Sequence, residues 1–287
     1  MTDQSYILRV DCPDRPGLVA AVANCLQKNN CNIEDAAQFN DKLSGRFFMR
    51  VVFKALAADT PADDINAFLD DFAVIGDQFD MQWSAHPQHH KPRTLIMVSK
   101  HDHCLHDLLY RWRTDHLPVD IAGIVSNHDA ARPHAERYGL PYHHLPVTKD
   151  TKADQENALR TLIAETETEL VVLARYMQVL SDTFCNDFHG RVINIHHSFL
   201  PGFKGARPYQ QAYERGVKLI GATAHFATAD LDEGPIIEQQ TARVDHSVDA
   251  RAMQRLGRDT EAQVLARAIG YFAERRIFLQ GNRTVIL

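Results

Sequence analysis

The chain has 287 residues and a mass of 32.5 kDa, more than one typical domain carries, so two folded units are expected. Hydrophobic residues at 45% and charged residues at 24% exclude a disordered or fibrous chain. A net charge of −6 argues against a nucleic-acid binder, and no apolar run reaches the ~18 residues that span a bilayer. Five scattered cysteines without a Cys-x-x-Cys pair fit reduced thiols and a cytoplasmic location. The first eleven residues lack a basic stretch before an apolar core, so no signal peptide is read.

Charge divides the chain. Residues 1–85 hold 7 basic against 13 acidic residues, whereas the remainder balances at 24 of each. His86-Pro87-Gln88-His89-His90-Lys91-Pro92 is polar, aperiodic and twice interrupted by proline. The expected organisation is therefore a first unit over 1–85, a linker over 86–93 and a second unit over 94–287.

In the first unit, Tyr6–Val10 reads as a strand and Asp14-Arg15-Pro16-Gly17 as a turn. Leu18, Val22, Cys25 and Leu26 follow at helical spacing. Asn32–Phe39 reads as a second strand. Phe47, Met49, Val51 and Phe53 alternate with Phe48, Arg50, Val52 and Lys54, a period-2 pattern. Thr60-Pro61 opens a helix with Ile65, Phe68, Leu69 and Phe72 on one face, and Phe79, Met81 and Trp83 alternate as a last strand. The order βαββαβ is ferredoxin-like.

From Thr94 strands alternate with helices. Thr94–Ser99 is a near-continuous apolar run, as in a parallel strand buried on both faces. Further strands are expected at Ile121–Val125, Tyr142–Val147, Leu170–Leu173 and Val192–Ile195. Helices are expected at Leu105, Leu108, Leu109 and Trp112, which recur at helical spacing, at Ala130–Tyr138, over 153–167 and over Asp249–Phe272. The last of these carries Met253, Leu256, Leu265, Ile269 and Phe272 near one face. This is the α/β pattern of a Rossmann-like open parallel sheet, whose ligands sit at the carboxyl ends of the strands. No Gly-x-Gly-x-x-Gly, no Gly-x-x-x-x-Gly-Lys-Ser/Thr and no His-Glu-x-x-His occurs, so dinucleotide binding, nucleotide hydrolysis and zinc hydrolysis lack their usual signatures.

The informative segment begins at Val192-Ile193-Asn194-Ile195-His196-His197-Ser198-Phe199-Leu200-Pro201. Strand alternation puts Asn194 and His196 on one side. An isolated Asn-x-His at a strand end would more simply satisfy loop backbone groups. Here it is followed by Gly205-Ala206-Arg207-Pro208-Tyr209, Gly221-Ala222-Thr223-Ala224-His225-Phe226 and Leu231-Asp232-Glu233-Gly234-Pro235. The block over residues 192–240 resembles the folate-dependent formyltransferase family, and the Asp-Arg-Pro-Gly turn with its βαββαβ order resembles an ACT domain. An ACT unit joined to a formyltransferase-like unit is the arrangement of the formyltetrahydrofolate deformylase family, which the chain resembles over nearly its whole length.

The resemblance implies hydrolysis of 10-formyltetrahydrofolate to formate and tetrahydrofolate, with folate and water as the only reactants and no further cofactor. Formate would feed purine synthesis and balance the one-carbon pool. It implies Asn194, His196 and Asp232 as the catalytic set, and Met177, Gln178, Val179, Leu180, His197, His225 and Gly234 as substrate-binding residues, with ordinary packing an equal reading of Met177–Leu180. Asn194 would donate to the developing oxyanion. His196 would donate to that oxygen or pass a proton to nitrogen, and Asp232 would hold water or orient His196. Burial is expected to raise the Asp232 pKa. Which of His196 and Asp232 takes the first proton stays open, as does a purely structural role for His225.

Asp14, Arg15 and Gly17 would bind an amino-acid effector such as glycine or methionine, or the turn simply starts a helix. ACT pairing implies a homo-oligomer. The His101, His103, Cys104 and His106 group has competent metal ligands but no matching family site, so no metal is expected. Two competing readings stand beside the hydrolase. One is a formyltransferase, disfavoured because Ser99-Lys100-His101-Asp102-His103 has no glycine for a phosphate-binding turn and its bulky side chains would fill the acceptor site. The other is a silent sensor, disfavoured by the intact set of three polar residues.

Overall fold

The alternating segment at Phe47 becomes a central strand of the first unit. The computed structural model describes residues 4–56, 65–202 and 208–287; Thr60-Pro61 and Gly205-Ala206-Arg207, singled out above, lie outside the described residues. The first elements are β1 (Ser5–Pro13), α1 (Leu18–Lys28), β2 (Cys31–Asp41), β3 (Arg46–Ala55), α2 (Asn66–Gln78) and β4 (Gln82–Pro87). Their sheet order is β2-β3-β1-β4, with every pair antiparallel, the ferredoxin-like arrangement. Leu18, Val22, Cys25 and Leu26 of α1 pack with Phe68 and Phe72 of α2 onto Phe47, Met49, Val51 and Phe53. Each such side chain contributes about 1.5–3 kcal/mol when fully removed from water.

Two features differ from the sequence reading. The last strand starts at Gln82, because Phe79 ends α2 and Asp80 turns the chain at φ 51°; it continues through His86 and Pro87. The other face of β3 is buried as well. Phe48 packs on Phe278 at 5.6 Å between ring centroids, and Arg50 Nε donates to the Glu274 carbonyl at 3.0 Å. Glu274–Gln280 and Val285–Leu287 accordingly group with Met1–His90 as one compact unit. The non-core face of β3 was thus apolar for a reason, namely a distant segment of chain.

The other unit comprises Lys91–Ala273 and Gly281–Thr284. It holds β5 (Arg93–Val98), α3 (His103–Arg113), β6 (Asp120–Ser126), α4 (Arg132–Tyr138), β7 (Tyr142–His144), α5 (Lys152–Glu165), β8 (Leu170–Leu173), α6 (Asp182–Asp187), β9 (Val192–His196), α7 (Pro208–Glu214), β10 (Leu219–Phe226), β11 (Ile236–Arg243) and α8 (Ala250–Ala273). The short strands β12 (Ile277–Gln280) and β13 (Arg283–Ile286) end the chain.

Seven strands run in the order β11-β10-β9-β8-β5-β6-β7. The five from β9 to β7 are parallel, and β10 and β11 add on antiparallel, so the sheet is mixed where an all-parallel one was expected. An antiparallel neighbour needs no crossover helix, and Leu219–Phe226 was legible only as a motif. In α8, Met253, Leu265 and Ile269 are buried as expected, but Leu256 is exposed and the stripe takes in Gly257 and Glu261 instead. Among the described residues no helix is long and apolar enough to cross a membrane.

Candidate active site

The carboxyl ends of the parallel strands converge on one cavity of about 480 Å³. Their loops are tied together by Ser99, just beyond β5. Its hydroxyl donates to Asn127 Oδ1 at 2.7 Å and accepts the Met177 N–H at 3.0 Å, joining the turns after β5, β6 and β8. Met177, Gln178, Val179 and Leu180 all line the cavity. Met177 and Val179 are exposed apolar side chains at this wall, while Leu180 is buried.

Asn194 and His196 share one face of β9, and both reach the cavity. On β10, His225 stands opposite Asn194, and Thr223 opposite His196. Asn194 Nδ2 lies 3.1 Å from His225 Nε2. The other His225 nitrogen, Nδ1, lies 2.9 Å from the Phe226 carbonyl, which can only accept, so Nδ1 carries a hydrogen. An amide nitrogen bears two hydrogens, so Asn194 keeps a second one for a ligand.

Asp232 reaches this pair from the loop between β10 and β11. Its backbone has φ 57°, a left-handed conformation that Asp tolerates better than most residues. Gly234 allows the loop to cross the end of β10: a Cβ there would lie 1.8 Å from the Phe226 carbonyl oxygen. Asp232 Oδ2 stands 3.2 Å from His196 Nδ1, and Oδ1 stands 3.7 Å from His225 Nε2. Burial pushes the Asp232 carboxyl up, but the hydrogen bond from His196 and the neighbouring His225 ring outweigh it and hold the group well below the usual carboxylate range. The expected rise from burial is thereby corrected. The two imidazoles, unseen as neighbours in sequence, decide the sign.

His196 is braced at both nitrogens. Nε2 lies 3.0 Å from the Ser198 hydroxyl, which donates its own hydrogen to the Gly202 carbonyl at 2.6 Å and so accepts from the ring. His197 also lines the cavity; burial, followed by the charge of Arg175, pushes its pKa down to about 3, so the ring is neutral. Of the residues expected to bind substrate, Gly234 alone stands off the cavity wall. Its role is to bring Asp232 home.

The same cavity has a polar wall in which His101 and His103, expected at the acceptor mouth, are joined by Arg175, Tyr209, Arg258 and Glu261, which the sequence did not disclose. Glu261 is 1% exposed on α8 and lies 2.8 Å from His103. A buried acid on a mostly apolar helix face is the signal that would have found it. The His101, His103, Cys104 and His106 group is split by the helix. His103 and Cys104 stand near Glu261, while His106 joins Asp102 and His134, and in each trio the ligand atoms lie within 4.8 Å of one another. Burial raises the Cys104 thiol well above its ordinary pKa, which disfavours the thiolate a metal needs.

Asp14, Arg15 and Gly17 lie in the first unit, each with a local partner or geometry. Gly17 turns the chain at φ 94° into α1, Asp14 accepts from Asn40 Nδ2 at 2.9 Å, and Arg15 donates to the Gln78 carbonyl at 2.8 Å.

Comparison with known proteins agrees with both units. An ACT domain family model matches residues 6–69 and a formyl transferase model residues 92–269. A formyltetrahydrofolate deformylase of Corynebacterium sp. (strain P-1) is 47% identical, over 98% of each chain. A crystal structure of formyltetrahydrofolate deformylase from Burkholderia mallei superposes with a TM-score of 0.93 at 51% identity, over 99% of each chain. Glycinamide ribonucleotide transformylase 1 from Symbiobacterium toebii matches with a TM-score of 0.65 at 31% identity, covering 70% of this chain and 97% of its own.

Proposed function

This chain belongs to the formyltetrahydrofolate deformylase family, and on that premise we propose that Asn194, His196 and Asp232 carry out its reaction. It hydrolyses 10-formyltetrahydrofolate to formate and tetrahydrofolate, a hydrolase reaction at a linear amide bond. The formate released supplies purine synthesis and relieves the one-carbon pool. The observation that carries the residue assignment is the Asn194–His225–Asp232–His196 constellation inside one cavity.

Hydrolysis needs three things: water at the formyl carbon, stabilisation of the carbonyl oxygen, and a proton for the departing nitrogen. The spare N–H of Asn194 meets the developing oxyanion, a role worth about 2.7–4 kcal/mol in comparable sites. Water adds its oxygen to the carbon, and the bond to the folate nitrogen breaks. One water proton ends on that nitrogen and the other leaves with formic acid, which ionises. Asp232, ionised and paired with His196, orients the imidazole and offsets its charge; His196 carries the proton to nitrogen. Met177–Leu180 forms the wall against which the flat pterin rests, with His197 and His225 beside it and Gly234 shaping the loop.

The reading extends to no cofactor besides folate and no metal, to no nucleic-acid or membrane partner, and to a cytoplasmic location, which five unpaired cysteines favour. It includes residues 1–85 as a regulatory ACT unit, 86–93 as the joining segment and 94–287 as the catalytic unit. Asp14, Arg15 and Gly17 are the effector contacts, glycine or methionine the effector, and paired ACT units the basis of a homo-oligomer. A shift in melting temperature with either amino acid, abolished in Arg15→Ala, supports the effector site, and no shift with any amino acid leaves the unit a structural role.

The decisive assay is formate release from 10-formyltetrahydrofolate with and without glycinamide ribonucleotide. The expected result is the same rate in both and no formylated nucleotide. Stoichiometric transfer to the nucleotide would overturn the hydrolase reading in favour of a transferase.

A further inference from the structure

The catalytic trio occupies only part of its cavity. Away from it the wall is built by residues from four separate elements, and their polar atoms are turned on one another. Glu261 of α8 has both carboxylate oxygens taken: Oε2 by His103 Nε2 at 2.8 Å, at the start of α3, and Oε1 by the Tyr209 hydroxyl at 2.5 Å, on α7. Arg175, in the turn after β8, puts Nε 3.4 Å from Oε2 and supplies the opposite charge, although this Nε makes no hydrogen bond. Burial opposes the ionised carboxyl, and His103, Arg175 and Tyr209 together still hold Glu261 below its ordinary pKa.

Tyr209 is the keystone of this wall. Its phenol end packs on α8 where the helix has Gly257; a Cβ at that position would fall 2.1 Å from the Tyr209 hydroxyl oxygen. The Tyr209 ring centroid is 6.4 Å from that of His197, which is 5.0 Å from that of His196. A continuous row of side chains therefore runs from the catalytic imidazole to Glu261. A site that received a second, polar substrate would present donors and acceptors left for that substrate to fill. Here the Glu261 carboxylate, the Tyr209 hydroxyl hydrogen and His103 Nε2 are spent on each other, and Arg175 Nε, which makes no hydrogen bond, lies 3.4 Å from the same carboxylate.

We infer that the His103–Glu261–Tyr209 lock, with Arg175 as its counter-charge, is the specificity determinant that shuts amine acceptors out of the cavity, so that water is the nucleophile admitted. These are positioning residues, since they act by holding a wall in place. The inference rests on the deformylase reading and adds residues to which that reading gives no part. With the lock opened, a primary amine would attack the formyl carbon in place of water. The new C–N bond forms as the bond to the folate nitrogen breaks, and the proton lost by the amine ends on that nitrogen.

The test uses the full chain, 10-formyltetrahydrofolate and glycinamide as the amine, with formylglycinamide and formate quantified together by mass spectrometry. The unaltered chain should release formate alone. Tyr209→Phe, Tyr209→Ala and His103→Gly should each yield formylglycinamide beside formate, at a ratio about tenfold or more above the detection limit that bounds the unaltered chain, the scale set by one pocket contact. A ratio is read, so a merely structural loss of turnover does not imitate the result. Formylglycinamide from the unaltered chain overturns the inference, and so does an unchanged ratio in all three variants. Complete loss of turnover in Tyr209→Phe, where a single hydroxyl is removed, also overturns it, because the wall would then belong to the chemistry itself. Absence of formate from the unaltered chain, by contrast, refutes the deformylase reading.

Discussion

Asp232 Oδ2 lies 3.2 Å from His196 Nδ1, and the loop that delivers it is held in place by the contact of Gly234 with the end of β10. A carboxylate set on a strained loop and an imidazole set on a central strand form one proton-handling unit. Because Ser198 braces the far nitrogen of the ring, the unit has a fixed orientation before substrate arrives.

Asp232→Asn keeps the side-chain shape and removes the negative charge. Formate release should fall by about 10²–10⁴, the usual worth of a proton-transfer group, while folate affinity persists. Steady-state assays with a folate-binding titration check this, and turnover within about tenfold of the parent would remove Asp232 from the chemistry.

Proton linkage gives a second expectation. The folded Asp232 carboxyl titrates below its unfolded value, so its contribution to stability is present above the unfolded pKa of about 3.9 and is lost as pH falls through the folded one. The stability advantage of the parent over Asp232→Asn should shrink as pH falls below about pH 4. A carboxyl carbon resonance of Asp232 that moved between about pH 5 and pH 8 would contradict the assignment.

Ser198→Ala removes the group that accepts from His196 Nε2 and donates to the Gly202 carbonyl. Ser198 is 4% exposed, so loss of those partners should cost about 1–3 kcal/mol in urea unfolding. Formate release should fall as well, since the ring loses its brace. Unchanged activity would mean that Asp232 alone orients His196.

Gly234→Ala tests the loop. A Cβ 1.8 Å from the Phe226 carbonyl oxygen cannot be accommodated without moving the backbone. About 1–3 kcal/mol of stability should be lost, and activity should drop because Asp232 is carried away from His196. A crystal structure of the variant would show the displaced loop, and full activity would leave Gly234 without a positioning role.

Much of this protein is legible along the chain, because local rules govern it. The period-2 run at Phe47–Lys54 and the helical spacing of Leu18, Val22, Cys25 and Leu26 specify strand and helix wherever they sit, and the near-continuous apolar run at Thr94–Ser99 announces a strand covered on both faces. Asn194, His196 and Asp232 stand in an ordered motif, so their types and spacing were readable, and so was the family resemblance. What the sequence could not determine is which groups meet. The sign of the Asp232 shift depends on two imidazoles brought from β9 and β10. The burial of Phe48 depends on Phe278 at the far end of the chain, and Glu261 acquires its partners from α3, α7 and the turn after β8. Electrostatic and packing energies depend on distance in space, and only the folded chain sets those distances.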